Sequence, residues 1–135
     1  MAYKHFAIAM VFILLTIPTI AWGRSILEPC DLESVEGNIC LITREAEKQG
    51  VDVETALAIA KCESGIRHYD EKKGGVLKGI ENPLDTGIFQ VNLYYHGATA
   101  KKLGYDLYDK QDNITYAIKE VMAKDGFSPW YCWSG

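Results

Sequence analysis

The sequence predicts an α+β domain, mostly helical with a small β-hairpin element. Three observations carry that prediction. Apolar residues recur at helical spacing in the segments 38–50, 52–65 and 112–126. Between the last two, residues 66–92 lose that period and fill with Gly, Pro, Asn and Asp. Four cysteines, Cys30, Cys40, Cys62 and Cys132, are spread over the part that follows an apolar leader.

Residues 1–23 read as a secretory signal peptide. "MAYKH" is short and basic, and "FAIAMVFILLTIPTI" is an apolar run broken by Pro18. "AWG" then sets small residues at the two positions a signal peptidase reads, which places cleavage after Gly23. A secreted or periplasmic protein with no stable membrane insertion follows. The alternative is an uncleaved, membrane-anchored chain, because the apolar run is almost long enough to span a bilayer. Residues 24–135 suffice for one domain and are too few for two.

Residues 24–37 form an irregular lead-in. "NICLITREAEKQG" predicts a helix with Asn38 as N-cap, Ile39, Ile42 and Ala46 on one side, and Gly50 as its stop. "DVETALAIAKCESG" predicts a second, capped by Asp52, with Glu54 in the positive first turn and Gly65 at the end. "KKGG" predicts a hairpin turn between two short segments. "TGIFQVN" is compact and apolar, and "YHGATAKKLG" predicts a short helix. In "DNITYAIKEVMAKDG", Ile114, Ala117, Ile118, Val121 and Met122 follow i, i+3, i+4, i+7, i+8, between a cap at Asp112 and a stop at Gly126. The tail "FSPWYCWSG" is aromatic. Roughly five helices result.

The chain has 14 basic and 18 acidic residues and a formal net charge of −4. Losing Lys4 with the leader makes it about −5, which argues against nucleic acid or anionic lipid as the main partner and leaves an uncharged glycan open. Four cysteines in an exported chain predict two disulfides, with three possible connectivities. The preferred pairing joins Cys30 to Cys40, closing a short loop, and Cys62 to Cys132, tying the second helix to the C-terminus. No CxxC is present and only His68 and His96 accompany the cysteines, so no metal or other cofactor is expected. No signal for an oligomeric state is visible.

One residue breaks the pattern. On a helical wheel Glu63 falls among Ala56, Ile59 and Ala60, the apolar face of its helix. An apolar setting, the negative end of its own helix and the lack of an adjacent cation would each raise its pKa, as a general acid requires. By periodicity alone, pairing with Lys61 or Arg67, or plain solvation at a helix end, is the favoured account of Glu63.

Three further motifs bear on that choice. Glu63-Ser64 at a helix end, Gly87-Ile88-Phe89-Gln90-Val91-Asn92, and Asn113-Ile114 with Ala117 follow in order. Together they resemble the lysozyme-like lytic transglycosylase domain of bacteria, over about Val53 to Trp133. The resemblance implies a lysozyme-like fold and cleavage of the β-1,4 bond between N-acetylmuramic acid and N-acetylglucosamine in peptidoglycan strands. It makes Glu63 the acid that protonates the glycosidic oxygen and then the base. A transglycosylase would activate the muramic acid's own 6-hydroxyl and release a 1,6-anhydro product, an intramolecular route for which one carboxyl can suffice. A lysozyme would use water and a second carboxylate, for which Asp85 is the best candidate and Asp70 a weaker one.

Ser64 would orient Glu63 or the substrate, and Gln90 and Asn92 suit sugar N-acetyl groups. Each equally suits a helix end or a turn network, as Asp85 suits turn chemistry. Among Tyr94, Tyr95, Trp130, Tyr131 and Trp133, a Cys62–Cys132 bridge would bring Trp130 and Tyr131 close to Glu63 as sugar-stacking surfaces. Asn113-Ile114-Thr115 also matches a glycosylation sequon. The family's Ala-Tyr-Asn-like segment is replaced here by "SPWYCWSG", which leaves room for a non-catalytic cell-wall glycan-binding domain of the same fold. A small disulfide-rich structural protein is the third possibility.

Overall fold

The computed structural model describes residues 29–132 of the chain. The signal peptide reading of residues 1–23 and the aromatic Trp133 lie outside them. Helix α1 spans Val35–Gln49 and α2 spans Val53–Ser64. A two-stranded antiparallel sheet follows, β1 (Asp85–Thr86) and β2 (Val91–Asn92), with Asp85 opposite Asn92 and Thr86 opposite Val91. Helix α3 covers Leu93–Leu103. The last helical stretch begins as α4 (Lys110–Thr115), widens into a π-helical segment at Tyr116–Met122, and ends as α5 (Ala123–Asp125). Among the described residues this is an α+β arrangement, and no helix is long and apolar enough to cross a membrane.

The cap residues explain where the helices begin. Asp52 accepts the Thr55 N–H at 2.8 Å, and Gly65, at φ +66°, closes α2 with a left-handed turn that any side chain would strain. Two predicted caps are corrected. Helix α1 starts earlier, at Ser34, whose Oγ accepts the Gly37 N–H at 2.9 Å. Asn38 instead lies buried inside the helix and donates to the Ile66 carbonyl at 2.9 Å, bracing the end of α2. The final helix is capped by Asp109, which accepts the Asp112 N–H; Asp112 sits in the first turn and accepts the Asp106 N–H.

The β element is also displaced from its expected place. "KKGG" does turn the chain, through Gly74 and Gly75 at positive φ, but it supports only an isolated bridge between Tyr69 and Val76. The paired strands flank the Gly87–Gln90 turn instead, where Ile88 and Phe89 are buried on the helices and fix the register.

The core gathers Ile42 and Ala46 of α1, Ala56, Ile59 and Ala60 of α2, Ile88 and Phe89 of the turn, and Ile114, Ala117 and Ile118 of the last helical stretch. The preferred disulfide pairing is the one observed. Cys30–Cys40 spans 10 residues and Cys62–Cys132 spans 70, as suits an oxidising compartment.

Candidate active site

Helix α2 delivers Glu63 to the rim of a groove, one residue after the cysteine that anchors the C-terminal tail. On one side Glu63 opens onto a cleft of about 410 Å³ shared with Asp85, Gln90, Asn92, His96, Trp130 and Tyr131. On the other it opens onto a cleft of about 620 Å³ bordered by Arg67, Gly79 and Ile80. Glu63, Asn82, Asp85, Gln90 and Tyr131 line both, so the two carboxylates stand where the lobes meet.

The Glu63 carboxyl is held above its ordinary 4.5, and burial is the largest cause. The backbone N–H of Cys132 donates to it and pulls the other way, while the negative charge of Asp85 adds to the rise. Neither Lys61 nor Arg67 forms a salt bridge with it among the described residues. Arg67 Nε is instead spent on the Ser64 carbonyl at 3.2 Å. The helix-end ion pair is therefore not made, and the carboxyl keeps its proton to a higher pH than a solvated one.

Asp85 is oriented by two amides. Asn92 Nδ2 donates to its Oδ1 at 2.6 Å and Asn82 Nδ2 at 3.3 Å. Asn92 is doubly engaged, because its own Oδ1 caps α3 by accepting the Tyr94 and Tyr95 N–H groups. It lines the cleft as a support for Asp85 more than as a free sugar contact.

The other proposed sugar contacts divide between framework and groove. Ser64 is buried, its Oγ donating to the Ile88 carbonyl at 2.7 Å and accepting the Arg67 N–H, which staples α2 to the Gly87–Gln90 turn. Trp130 is buried too, its indole N–H donating to the Phe89 carbonyl at 2.9 Å and its ring edge-on to Phe89. It closes the cleft as a wall and offers no open stacking face. Tyr131 is fully exposed at 100% and borders both lobes. Gln90 sits at φ +49°, with Nε2 donating to the Gly87 carbonyl at 2.7 Å.

Beneath the turn lies a polar cradle built from the motif residue Asn113 and from His68, a role the sequence did not reveal. Asn113, wholly buried, donates to the Thr86 and Leu107 carbonyls and accepts the Phe89 N–H. With both amide protons engaged, the sequon it begins is closed to modification in the folded chain. His68 accepts the Ile88 N–H on Nδ1 and donates from Nε2 to the Tyr108 carbonyl at 2.9 Å, partners that fix its tautomer. Gly87, at φ +74°, passes so close that an added Cβ would lie 2.6 Å from Asn113 Nδ2 and 2.7 Å from His68 Cε1. Close approach, and not turn geometry alone, requires a glycine there.

His96 is a second residue missed. It lines the first lobe with Nδ1 against the Tyr116 hydroxyl at 3.1 Å. A separate apolar pocket of about 480 Å³ beside α3 has Asp106 as its only carboxylate, already bonded to the Tyr108 N–H. It lacks the converging polar groups of the groove. Among the described residues no cluster of His, Cys, Asp and Glu could hold a metal ion. No protein-family model matches the chain, and neither does any curated protein or solved structure.

Proposed function

We propose that this chain is a lysozyme-like glycosidase that cleaves the β-1,4 bond between N-acetylmuramic acid and N-acetylglucosamine in peptidoglycan, with Glu63 as general acid and base. The observation that carries the reading is a carboxyl of raised pKa at the junction of a two-lobed groove, with a second carboxylate lining the same junction. A glycan laid through the groove puts a glycosidic oxygen beside Glu63. Proton transfer there releases the leaving sugar and generates oxocarbenium character on the other. Asp85, aimed by Asn82 and Asn92, supplies negative charge for that transition state. Glu63, now ionised, takes the proton of the attacking hydroxyl. Attack by the muramic acid's 6-hydroxyl makes an anhydro product, and attack by water makes a reducing end. The order of elements, a helix-end glutamate followed by a small sheet and a long final helical stretch, supports the lysozyme-like reading.

Purified sacculi incubated with the protein and resolved by mass spectrometry test it. Glu63→Gln should lower turnover by about 10³-fold. The folded protein should be no less stable, because a neutral amide relieves the burial cost of the carboxylate. Folded wild-type protein that releases no soluble muropeptide across a pH series would sink the enzyme and leave a glycan binder.

A further inference from the structure

The groove is not symmetric about Glu63. Its second lobe continues into a third hollow of about 600 Å³, and Arg67, Leu77, Lys78, Gly79 and Ile80 line both. The first lobe is bordered by Tyr95, His96, Trp130 and Tyr131 and has no Lys or Arg. The third is walled by Arg67, Lys72, Lys73 and Lys78 against Asp70 and Glu71. This excess of positive charge stands in a chain whose net charge is −4.

The salt bridges among the described residues belong to Glu45 and Glu120, and none involves these four side chains. The Asp70 carboxyl is held below its usual range chiefly by the Lys73 and Lys72 N–H groups, and the nearby charges of Lys73 and Arg67 help. Asp70 Oδ1 accepts the backbone N–H groups of Lys72 and Lys73 at 2.9 and 3.0 Å, so its carboxylate shapes the turn that carries the two lysines. Lys78 Nζ is fixed in the wall, 3.0 Å from Thr86 Oγ1 and 4.2 Å from the centre of the Tyr108 ring. Arg67 is tethered through Nε to the Ser64 carbonyl, and its exposed side chain lines both the Glu63 lobe and the third hollow. Its planar guanidinium matches a carboxylate, and the two lysines add point charges further out.

We propose that this cationic arm binds carboxylates carried by the glycan, so that the substrate is an acidic strand and not a neutral chitin-like one. The proposal rests on the glycan reading above and names its substrate class. On a peptidoglycan strand the carboxylates are those of the stem peptides or, where a muramic acid carries no peptide, of its free lactyl group. Either projects sideways from the sugar chain, and the third hollow adjoins the Glu63 lobe where such a group could reach it.

Binding to full-length Glu63→Gln protein tests the arm without turnover. The probes are a peptide-bearing muramyl tetrasaccharide, the same strand stripped of peptides, and neutral chitotetraose. Adding Arg67→Ala, Lys72→Ala and Lys73→Ala should weaken the peptide-bearing strand by about 10-fold and leave chitotetraose within about twofold. About 0.5 M salt should narrow the same gap. Lys101→Ala with Lys102→Ala, on the exposed face of α3, sets against Lys72→Ala with Lys73→Ala an equal loss of two charges elsewhere and should change no affinity. A loss confined to the stripped strand identifies the freed lactyl carboxylate as the bound group, a loss confined to the intact strand identifies the peptide carboxylates, and a loss on both shows that the arm takes either. Equal weakening of chitotetraose, or no weakening of either acidic strand, overturns the proposal. Wild-type turnover without this discrimination removes the arm alone, whereas no binding to any glycan removes the arm together with the glycan reading.

Discussion

Two walls of the groove are built in opposite ways. The Thr86–Val91 turn is clamped from behind by side chains of four other segments: Ser64, His68, Asn113 and Trp130 each hold one or more of its backbone groups. The loop from Asp70 to Pro83 is held mainly by local turns, such as Gly74 N–H to the Asp70 carbonyl and the Lys72 and Lys73 N–H groups to the Asp70 carboxylate. Lys78 ties it to Thr86 and Tyr108, and its tip is exposed. The clamped wall sits under Asp85 and Gln90, where the proposed reaction would need fixed geometry. The loosely held wall carries the lysines, and charge acts over several ångströms without tight registry. Rigidity is concentrated where position matters most.

The two walls should therefore break unevenly. The largest effect belongs to Asn113→Ala, which strands the Phe89 N–H and the Thr86 and Leu107 carbonyls inside the protein. We expect a loss of about 3 kcal/mol, or roughly 12–20 °C in melting temperature, measured by calorimetry. His68 should give an intermediate effect that depends on pH. Burial chiefly holds it below its ordinary 6.5, with Lys110 reinforcing the shift while the Tyr108 carbonyl and Asp109 oppose it. The unfolded chain therefore takes up the proton first, and stability falls as pH drops through 6.5 toward the folded value. Chemical denaturation at pH 7.5 and pH 5 should show that loss, and His68→Gln should shrink it. The smallest effect belongs to Ile80→Ala on the other wall. Ile80 is fully exposed, so the melting temperature should move by less than about 2 °C. A large drop there would show that the loop is as integral to the fold as the turn.

Features set by short-range chemistry were legible in the sequence. Asp52 and Gly65 bound α2 as their cap preferences dictate, and Ala56, Ile59 and Ala60 face the core by helical period. The same reading placed Glu63 on that face. What failed depended on partners distant in sequence. Ser34 and Asn38 are both competent caps, and only the Ile66 carbonyl, 28 residues away, draws Asn38 inward. Asn92 suited a sugar contact or a turn, and its pairing with Asp85 across the sheet was invisible without the register. Trp130 was placed near Glu63, but its burial follows from the Phe89 carbonyl, 41 residues back. Asn113 was visible as part of a motif, but its role beneath the turn and that of His68 were not, because each satisfies backbone groups of other segments.

The Cys62–Cys132 bridge has a topological consequence. It closes a covalent ring that contains Glu63, Asp85, Gln90 and Tyr131. The exposed tip near Lys72 and Lys73 lies within that ring, where a trypsin-like protease would cut most readily. A single cut there opens the ring without releasing a fragment. Glu63 stays on one piece and Asp85 on the other, and the two remain one molecule until the disulfide is reduced.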